Sequence, residues 1–410
     1  MIISLLNALY ALLTLALAPF FVFMGAIVVA ALVGGATGRR PVAAAESGRR
    51  RFLIVIPAHD EAGAIGATVQ SCRKLDYDPA LYSIHVIADN CTDSTAQEAR
   101  EAGAMVVERF TADRRSKGHA LEYFFTEIPE GRPDAGHDAT VLIDADTVVD
   151  PGLLLAFDRA LAQGQDWIQG YYTVRNPDAS WRTQMMTYAF SLANGAWMLG
   201  LDRLGLGVGL KGNGMCFSGA GLGRFPWKAH GLVEDMEFAL MLRAAGERVH
   251  FLPEARVYGE MVSRGGAGAA SQRRRWEAGR RSLRGKFAGA FASSRAINPL
   301  RKAAYLVDLF YPPLSTLAIG LAVASTVHLL PLLDARMSWT SQTLGPIHAA
   351  MALVFLVYAL SPIVVVSLPP RYLASLLAFP YYVLWKIFVS SGRGPKAWVR
   401  TPREPQVPTR

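Results

Sequence analysis

The sequence predicts an α/β fold, with a mostly parallel sheet, flanked by transmembrane helices at both ends of the chain. Short apolar runs alternate with amphipathic stretches from about residue 51 to 290, which is typical of βα units. Residues 2–35 carry no charged side chain, and the chain becomes apolar again from about residue 303. Of the 410 residues, 51% are hydrophobic and 18% are charged, against roughly 25% charged in soluble proteins. We therefore expect part of the chain to lie in lipid.

The N-terminal segment, residues 1–38, is predicted to be a retained transmembrane segment. Its uncharged stretch exceeds the roughly 20 residues that cross a bilayer, and it lacks the basic start and short apolar core of a cleaved signal peptide. One span is favoured, and two spans broken at Pro19 are the alternative. Arg39, Arg40 and residues 49–51 follow, and these arginines predict that the chain continues in the cytoplasm.

Residues 50–290 are predicted to form one cytoplasmic domain. Its predicted strands are 52–57, 84–89, 105–108 and 141–144, and the helices between and after them are 62–73, 94–101, 118–125 and 151–163. Ligands of parallel α/β sheets bind at the carboxyl ends of the strands. We therefore expect the functional residues directly after each strand.

The C-terminal region, residues 300–392, is predicted to contain two spans, 303–330 and 347–368. Residues 372–390 are interpreted as an interfacial element, with a third span as the alternative. The tail, residues 393–410, is strongly basic. A basic tail favours the cytoplasmic side, and therefore two spans and an interfacial element.

Charge and cysteine content exclude several classes of protein. The formal net charge is +9, but the basic clusters flank the predicted membrane segments, so we expect lipid headgroups and no nucleic acid as partners. The spacing of Cys72, Cys91 and Cys216 predicts neither a disulfide framework nor a zinc site. The predicted spans carry almost no ionisable residues, which argues against a transporter.

Carboxylates follow three of the four predicted strands. Glu61 comes after the first strand, Asp89 ends the second, and Asp144 and Asp146 follow the fourth. Gathered carboxylates oppose each other's ionisation unless a cation or hydrogen bonds compensate them. The alternating pair Asp144 and Asp146 offers hard oxygen ligands, which suit Mg²⁺ or Mn²⁺ in a site shared with phosphates. The sequence therefore predicts a divalent metal at this edge of the sheet.

For other charged residues near strand ends, a structural role is the alternative to a functional one. Asp60 and Asp93 would serve equally well as helix caps, and Asp150 is predicted to be only a cap. Lys117 follows a basic turn and opens a predicted helix. A cation at a helix N-terminus forms an anion site, and a solvated turn is the alternative.

Two further patterns lie later in the predicted domain. Glu234 and Asp235 begin an amphipathic helical pattern, where an acid pair either complements the helix dipole or serves chemistry. Gln272, Arg275 and Trp276 would share one face of a later helix, with arginine suited to a diphosphate and tryptophan to a sugar ring. A membrane-surface patch is the alternative for this arginine-rich helix.

Taken in order, these motifs resemble the D, DxD, ED, QxxRW signature of membrane-embedded family 2 glycosyltransferases, such as the cellulose, chitin, hyaluronan and poly-N-acetylglucosamine synthases. The resemblance covers about residues 51–290. It implies a GT-A fold (Rossmann-like) and a multi-pass protein of the cell (inner) membrane with its catalytic domain in the cytoplasm. It also implies inverting, metal-dependent hexosyl transfer from a nucleotide-diphospho-sugar, with UDP preferred, to a saccharide or lipid acceptor. The product would be a β-linked glycan or glycolipid.

The resemblance implies roles for individual residues. Asp235 would be the general base with Glu234 beside it, and Asp146 and Asp144 would hold the Mg²⁺ or Mn²⁺ ion. The residues that would bind the nucleotide sugar are Pro57, His59, Glu61, Asp89, Lys117, Asp144 and Arg275. The residues that would bind the acceptor are Gly214, Met215, Cys216, Gln272 and Trp276.

Two features depart from the family pattern. The segment around Lys117 reads Arg-Ser-Lys-Gly where related sequences often have Gly-Lys. The C-terminal membrane region is smaller than in the cellulose or hyaluronan synthases, which argues against a full polymer channel and leaves processive and single transfer both open. A membrane-anchored nucleotide-binding or regulatory protein with a degenerate catalytic domain is the alternative function. The presence of Asp89, Asp146 and Asp235 argues against it.

Overall fold

The computed structural model of the protein describes residues 2–33, 49–261, 267–332 and 338–381. Eight strands in the described part form one sheet. They are β1 Phe52–Ala58, β2 Tyr82–Asp89, β3 Met105–Arg109, β4 Ala139–Leu142, β5 Thr147–Val149, β6 Trp167–Val174, β7 Met215–Ser218 and β8 Val249–Gly259. Their order across the sheet is β3-β2-β1-β4-β7-β6-β8-β5.

The first half of the sheet is parallel. β1 pairs in parallel with β2 and β4, and β2 pairs in parallel with β3. Alternate residues of β1 pack into opposite core layers: Phe52 and Ile54 lie in one, and Leu53 and Val55 in the other. Burial on both faces explains the continuous apolar runs of these strands. The four predicted strands are confirmed to within two residues at each end.

The second half of the sheet is mixed. β7 runs antiparallel to β4 and β6, whereas β8 is parallel to β6 and antiparallel to β5. The register shifts between Gly170 and Tyr171, so that residues 253–255 of β8 form a bulge. A Cβ on Gly170 would lie 2.5 Å from the carbonyl oxygen of Ala255, which requires glycine there. The bulge accommodates Pro253, which has no N–H to donate.

Helices cover both faces of the sheet. They are α2 Ile65–Cys72, α3 Thr95–Glu101, α4 Lys117–Glu127, α5 Leu153–Ala162, α6 Trp181–Phe190, α7 Trp197–Arg203, α8 Gly219–Arg224, α9 Glu234–Ala244 and α10 Ala267–Ser293. α2, α3 and α5 pack into one core layer, and α4, α7 and α9 pack into the other. The four helices predicted around the first strands are therefore present, although α2 begins three residues later than predicted.

The sheet domain is packed against the N-terminal helix, α1 Ile2–Val33. A π-helical turn, Ser191–Ala196, joins α6 to α7, and α7 lies along α1. A Cβ on Gly200 would come within 2.3 Å of the carbonyl oxygen of Ile27. Arg203 Nη1 donates to the carbonyl oxygen of Ala31 at 2.6 Å. These contacts hold the sheet domain close to the axis of α1.

The long apolar helices differ in part from the predicted spans. α1 is one helix through Pro19, and α13 Ser338–Val365 overlaps the predicted span 347–368. Both are long and apolar enough to cross a membrane. The predicted span 303–330 is not one helix, because α11 Pro299–Phe310 meets the segment Leu314–Leu329 at 89°. That segment begins with α12, Leu314–Ser325.

Prolines explain that bend. Pro312 and Pro313 follow α11. A proline has no N–H to continue the helical ladder, and it also disfavours helical geometry at the residue before it. The bent pair is therefore either a broken span or a re-entrant element. The described chain accordingly contains two candidate spans, or three if the bent pair crosses the membrane.

Several predicted features lie partly or wholly outside the described residues. Of the predicted interfacial element 372–390, the part to residue 381 is described, and it includes most of a 3₁₀ helix, Pro370–Ala378. The rest of that element, the tail 393–410, Arg39 and Arg40 lie outside the described residues.

Candidate active site

A cavity of about 2340 Å³ opens at the carboxyl ends of β1, β2 and β4 and extends to the apolar helices. The predicted site residues that line it are Pro57, His59, Glu61, Asp89, Lys117, Asp144, Asp146, Glu234, Asp235 and Trp276. Its far end is lined by apolar residues, among them Leu314, Phe355, Tyr358 and Phe379. Residues far apart in the sequence thus line one continuous space.

Lys117 connects three segments of the cavity wall. It is the first residue of α4, and its Nζ donates to Asp144 Oδ1 and to the carbonyl oxygen of Gly212, the latter at 2.6 Å. Burial opposes its charge, but the carboxylates of Asp144 and Glu234 raise the pKa of Lys117 above its ordinary value. The lysine therefore stays charged and compensates part of the carboxylate cluster.

Asp144 and Asp146 lie in the turn between β4 and β5. The backbone N–H of Asp144 donates to Asn213 Oδ1 at 3.1 Å, and Asn213 Nδ2 donates to Thr147 Oγ1 at 2.8 Å. Burial, and then the charges of Asp146 and Asp144, raise the pKa of Tyr172 well above its ordinary value. The two carboxylates and the phenol are therefore close together. This donor set fits a hard divalent cation, and Lys117 engages one oxygen of Asp144.

Glu234 and Asp235 form the first turn of α9, which is anchored by Phe238 in the core. Asp235 Oδ1 accepts the N–H of Met236 at 2.7 Å. Burial and the adjacent Asp235 carboxylate raise the pKa of Glu234 to about 7. Burial also raises the pKa of Asp235, and Lys117 opposes this shift. The pair therefore retains a proton more readily than ordinary carboxylates do, which is a property of general acids and bases.

The loop before β7 comes closest to this acid pair. Gly212 has a φ of +76°, and a Cβ there would lie 3.2 Å from Asp235 Oδ2 and 3.6 Å from Lys117 Nζ. Gly214 also has a positive φ and packs against β8. Met215 and Cys216 are fully buried in β7 and are not among the residues that line the cavity, so the structure gives no support to their predicted contact with the acceptor. The strand places both side chains in the core layers, and residues 209–212 line the cavity instead.

His59 and Asp89 form the end of the cavity farthest from the apolar helices. His59 Nδ1 donates to the carbonyl oxygen of Asp89 at 2.7 Å. Asp89 Oδ1 accepts from Arg109 Nη1 at 2.6 Å and from Asn90 Nδ2 at 3.0 Å. Arg109 is itself buried, so the carboxylate that ends β2 is compensated by an ion pair.

The acids with an alternative as helix caps are not the N-cap residues of α2, α3 or α5, but they do accept hydrogen bonds from nearby backbone. Asp60, Cys91 and Asp93 lie close enough together to hold one ion. However, Asp60 Oδ1 accepts a backbone N–H at 2.6 Å, and Asp93 Oδ1 accepts another at 3.0 Å. Asp150 likewise accepts the backbone N–H of Gly152, just before α5, at 3.0 Å. Local hydrogen bonding therefore accounts for these three aspartates.

The arginine-rich helix α10 forms another wall. Trp276 is half-buried and lines the cavity together with Arg280, Arg281 and Arg284. Gln272 and Arg275 belong to α10, but their side chains lie outside the described part of the structure.

Several residues of the cavity wall were not predicted. They are Tyr172, Lys211, Tyr311 and the stacked pair His119 and His230, whose rings lie 4.3 Å apart. Of these residues, only Lys211 was close in sequence to a predicted site residue, because it lies three residues before Gly214. The others reach the cavity through strands, loops or bends that the apolar pattern does not reveal.

Comparison with known proteins supports a family assignment. Residues 49–279 match the family model described as glycosyltransferase like family 2. No curated protein matches the sequence. The structure is similar to that of the mannosyltransferase PcManGT from Pyrobaculum calidifontis, solved with GDP-Man and Mn²⁺. The TM-score is 0.53 at 17% identity, over 88% of this chain and 99% of that one.

Two other solved structures are less similar. S. aureus TarS 1-349 with UDP-GlcNAc has a TM-score of 0.42 at 12% identity, over 76% of this chain and 90% of that one. Glucosyl-3-phosphoglycerate synthase from Mycobacterium tuberculosis, with Mn²⁺, UDP and phosphoglyceric acid, has a TM-score of 0.37 at 19% identity, over 52% of this chain and 72% of that one. The family match covers more than half of the chain, and the sheet has the GT-A arrangement. The protein therefore belongs to the family 2 glycosyltransferases.

Proposed function

We propose that the protein is an inverting, metal-dependent membrane glycosyltransferase that transfers a sugar from a UDP-sugar to a lipid acceptor at the cytoplasmic face of the inner membrane. Residues 50–290 would be the catalytic domain. One observation carries the proposal: a single cavity joins the carboxylates around Asp235 to the apolar residues of α12 and α13. A nucleotide sugar binds to a polar wall and a lipid to an apolar wall, so the two substrates can react only where these walls adjoin.

Asp235 is the general base in this proposal. An acceptor hydroxyl oxygen forms a bond to the anomeric carbon as the bond from that carbon to the nucleoside diphosphate breaks. The hydroxyl proton passes to Asp235, whose raised pKa suits it to this task. One displacement from the face opposite the leaving group inverts the anomeric centre and gives a β-linkage. No second carboxylate is then needed as a nucleophile.

The other polar residues would bind the donor. Lys117 is charged and sits at the N-terminus of α4, where an anion is stabilised. Asp89 and His59 would border the nucleoside. Asp146, supported by Asp144, would hold Mg²⁺ or Mn²⁺. A bound divalent cation would stabilise the charge that develops on the leaving diphosphate.

The apolar end of the cavity favours a lipid acceptor over a growing polymer. Leu314, Phe355, Tyr358 and Phe379 are suited to a hydrocarbon chain, whereas sugar polymers need polar and aromatic contacts along their path. The resemblance to cellulose, chitin and hyaluronan synthases therefore applies, in this proposal, to the donor half of the site. We infer a single transfer that gives a glycolipid.

Donor turnover tests the proposal. The protein, purified in detergent, is incubated with a panel of labelled UDP- and GDP-sugars and membrane lipids, with and without Mg²⁺ or Mn²⁺. We expect metal-dependent release of UDP and a single lipid-soluble product. Asp146→Ala and Asp235→Asn should each lower turnover at least about a hundredfold, and the exposed control Asp134→Asn should not. Undiminished turnover in either site variant refutes that residue's role, and a ladder of polymeric products refutes single transfer to a lipid.

A further inference from the structure

The π-helical turn Ser191–Ala196 brings a buried carboxamide to the wall of the cavity. The backbone N–H of Trp197 donates to the carbonyl oxygen of Leu192, five residues earlier, which is the hydrogen bond of a π-helix. Such single turns are rare and occur frequently at functional sites. Asn194 lies within this turn, is only 5% exposed and lines the cavity. The turn therefore presents Asn194 to a bound ligand.

The turn is held on two sides. The hydroxyl groups of Tyr171 in β6 and Ser191 lie 3.2 Å apart, and both residues are buried. From the other side, the hydroxyl of Tyr358 in α13 donates to the carbonyl oxygen of Leu192 at 3.4 Å. Asn194 thus has a fixed place between the sheet and α13, where the polar and apolar parts of the cavity adjoin.

The orientation of the Asn194 carboxamide follows from its one hydrogen bond. Asn194 Nδ2 donates to the carbonyl oxygen of Tyr172 at 3.1 Å. A carbonyl oxygen only accepts, so the amide atom that faces it must be the nitrogen. Among the residues that the structure describes, Asn194 Oδ1 has no hydrogen-bond partner. A buried amide oxygen without a partner is unfavourable, and a ligand that donates a hydrogen bond to it would remove that cost.

Tyr172 places this carboxamide near the proposed metal site. Burial, and then the charges of Asp146 and Asp144, raise the pKa of Tyr172, so its phenol lies close to both carboxylates. Asn194 is bonded to the backbone of the same tyrosine. In the proposed site these carboxylates are at the diphosphate, and the sugar is attached to that diphosphate. We therefore expect the transferred sugar, and not the nucleoside, beside Asn194.

The chemistry of the amide oxygen defines the group that it binds. Asn194 Oδ1 only accepts hydrogen bonds, whereas ionised diphosphate oxygens and a hydrocarbon chain have no proton to donate. A sugar hydroxyl does. We propose that Asn194 Oδ1 accepts a hydrogen bond from a hydroxyl group of the transferred sugar, so that Asn194 determines donor specificity. This inference rests on the proposed function and adds a contact to the sugar part of the donor.

Binding of nucleotide sugars to the purified full-length protein tests this inference without a lipid acceptor. The probes are UDP-glucose, UDP-N-acetylglucosamine and GDP-mannose, each titrated beside its own nucleoside diphosphate in Mg²⁺ by calorimetry. The ratio of the two affinities isolates the contribution of the sugar from those of the nucleotide and the metal. For at least one probe, Asn194→Leu should lower this ratio about tenfold and leave the affinity for the nucleoside diphosphate unchanged.

Deoxy analogues of the responding probe identify the hydroxyl. One monodeoxy analogue should bind the unmodified protein about tenfold more weakly than its parent, because Asn194 Oδ1 is then left unpaired. In Asn194→Leu, parent and analogue should bind equally, since the residue and the hydroxyl are removed as a pair. A residue that only stabilised the turn would not abolish the sensitivity to a single hydroxyl.

Ser191→Ala is the matched control. Ser191 Oγ donates to the carbonyl oxygen of Thr187 at 2.8 Å, and Ser191 is not among the residues that line the cavity. This variant loses hydrogen bonds of the same turn but should keep both the affinity ratio and the loss on deoxygenation. Asn194→Ser is a second site variant, and it should lose the ratio as Asn194→Leu does. Thermal unfolding of each variant separates lost binding from lost folding.

Two results would overturn the inference. The first is an affinity ratio that neither Asn194 variant changes for any of the three probes. The second is an equal loss of the ratio in Ser191→Ala, which would show that Asn194 acts only by holding the turn. Failure of the proposed function is recognised separately, since it would appear as no metal-dependent transfer to lipid while the sugar-dependent loss in Asn194→Leu persists.

Discussion

Gly212 lies beside the carboxylate of Asp235, so that a side chain at position 212 would press against it. A Cβ at position 212 would lie 3.2 Å from Asp235 Oδ2. The carbonyl oxygen of the same glycine accepts a hydrogen bond from Lys117 at 2.6 Å. The backbone of this loop thus holds the Lys117 ammonium by a hydrogen bond and lies beside the proposed base.

We predict that Gly212→Ala lowers transfer more than tenfold, because the new methyl group displaces the Asp235 carboxylate. It should also cost about 1–2 kcal/mol of stability, since a φ of +76° is unfavourable for alanine. Gly136→Ala is the matched control: its φ is +90° and a Cβ there meets nothing within 4 Å. The control should show the same loss of stability by thermal unfolding and no loss of transfer. Equal transfer rates in the two variants would contradict the prediction.

The second prediction concerns the pH dependence of transfer. Burial and Asp235 raise the pKa of Glu234 to about 7, and the two acids titrate as a coupled pair. Transfer should therefore rise with pH through about 7, as the pair loses its last proton. Glu234→Gln should move this rise to lower pH, because Asp235 then ionises without a neighbouring negative charge. The exposed Glu127→Gln should leave the profile in place, and an unmoved profile in Glu234→Gln would refute the coupling.

The same shift predicts the sign of the stability change. Glu234 releases its proton near 4.5 when unfolded and near 7 when folded. Between these pH values the folded state binds more protons than the unfolded state does. The stability of the folded state should therefore fall as pH rises from about 4.5 to 7. Glu234→Gln should flatten this part of the curve of unfolding free energy against pH. If stability instead rose with pH in this interval, and Glu234→Gln abolished that rise, the pKa of Glu234 would be depressed in the folded state.

Removal of Lys117 should shift the pH profile in the opposite direction. Its charge lowers the pKa of both Glu234 and Asp235, so Lys117→Met should move the rise in transfer to higher pH. Transfer at the optimum should also fall about ten- to a hundredfold, because Asp144 loses its ion-pair partner. Lys117→Arg is the control that keeps the charge, and its pH profile should stay close to that of the unmodified protein. A profile that Lys117→Met leaves unmoved would contradict the electrostatic role.

The sequence predicted the four strands of the first half of the sheet and none of the strands β5 to β8 of the second half. β1, β2 and β4 are buried on both faces, so each appears as an apolar run. β5 and β7 have only three and four residues, and β8 contains Pro253 at a bulge, so none of them produces a clear pattern. Hydropathy likewise cannot detect a bend. It joined α11 and α12 into one span, although Pro312 and Pro313 mark the break.

The site was predictable where its residues follow strands or begin helices. Asp144, Asp146, Lys117 and Asp235 stand at such positions, and all of them line the cavity. Tyr311 illustrates what local sequence does not contain, because the bend between α11 and α12 alone brings it there. Met215 differs from these residues: it was assigned to acceptor binding, and its side chain is buried in the short strand β7.

The last prediction concerns the packing of the catalytic domain on α1. Gly200 lies inside α7, where alanine would ordinarily stabilise a helix by up to about 1 kcal/mol. A Cβ there would come within 2.3 Å of the carbonyl oxygen of Ile27, and backbone atoms of two packed helices cannot yield without moving apart. Gly200→Ala should therefore destabilise the protein by about 1–3 kcal/mol.

Gly285→Ala provides the matched comparison, since Gly285 lies inside α10 and a Cβ there meets nothing within 4 Å. It gains the same helix propensity without the contact, so it should be neutral or slightly stabilising. Thermal unfolding in detergent measures both variants, and their difference isolates the contact between α7 and α1. If the two substitutions changed the melting temperature equally, the close approach of Gly200 to Ile27 would not contribute to stability. A lower melting temperature for Gly200→Ala alone would show that the packing of α1 stabilises the catalytic domain.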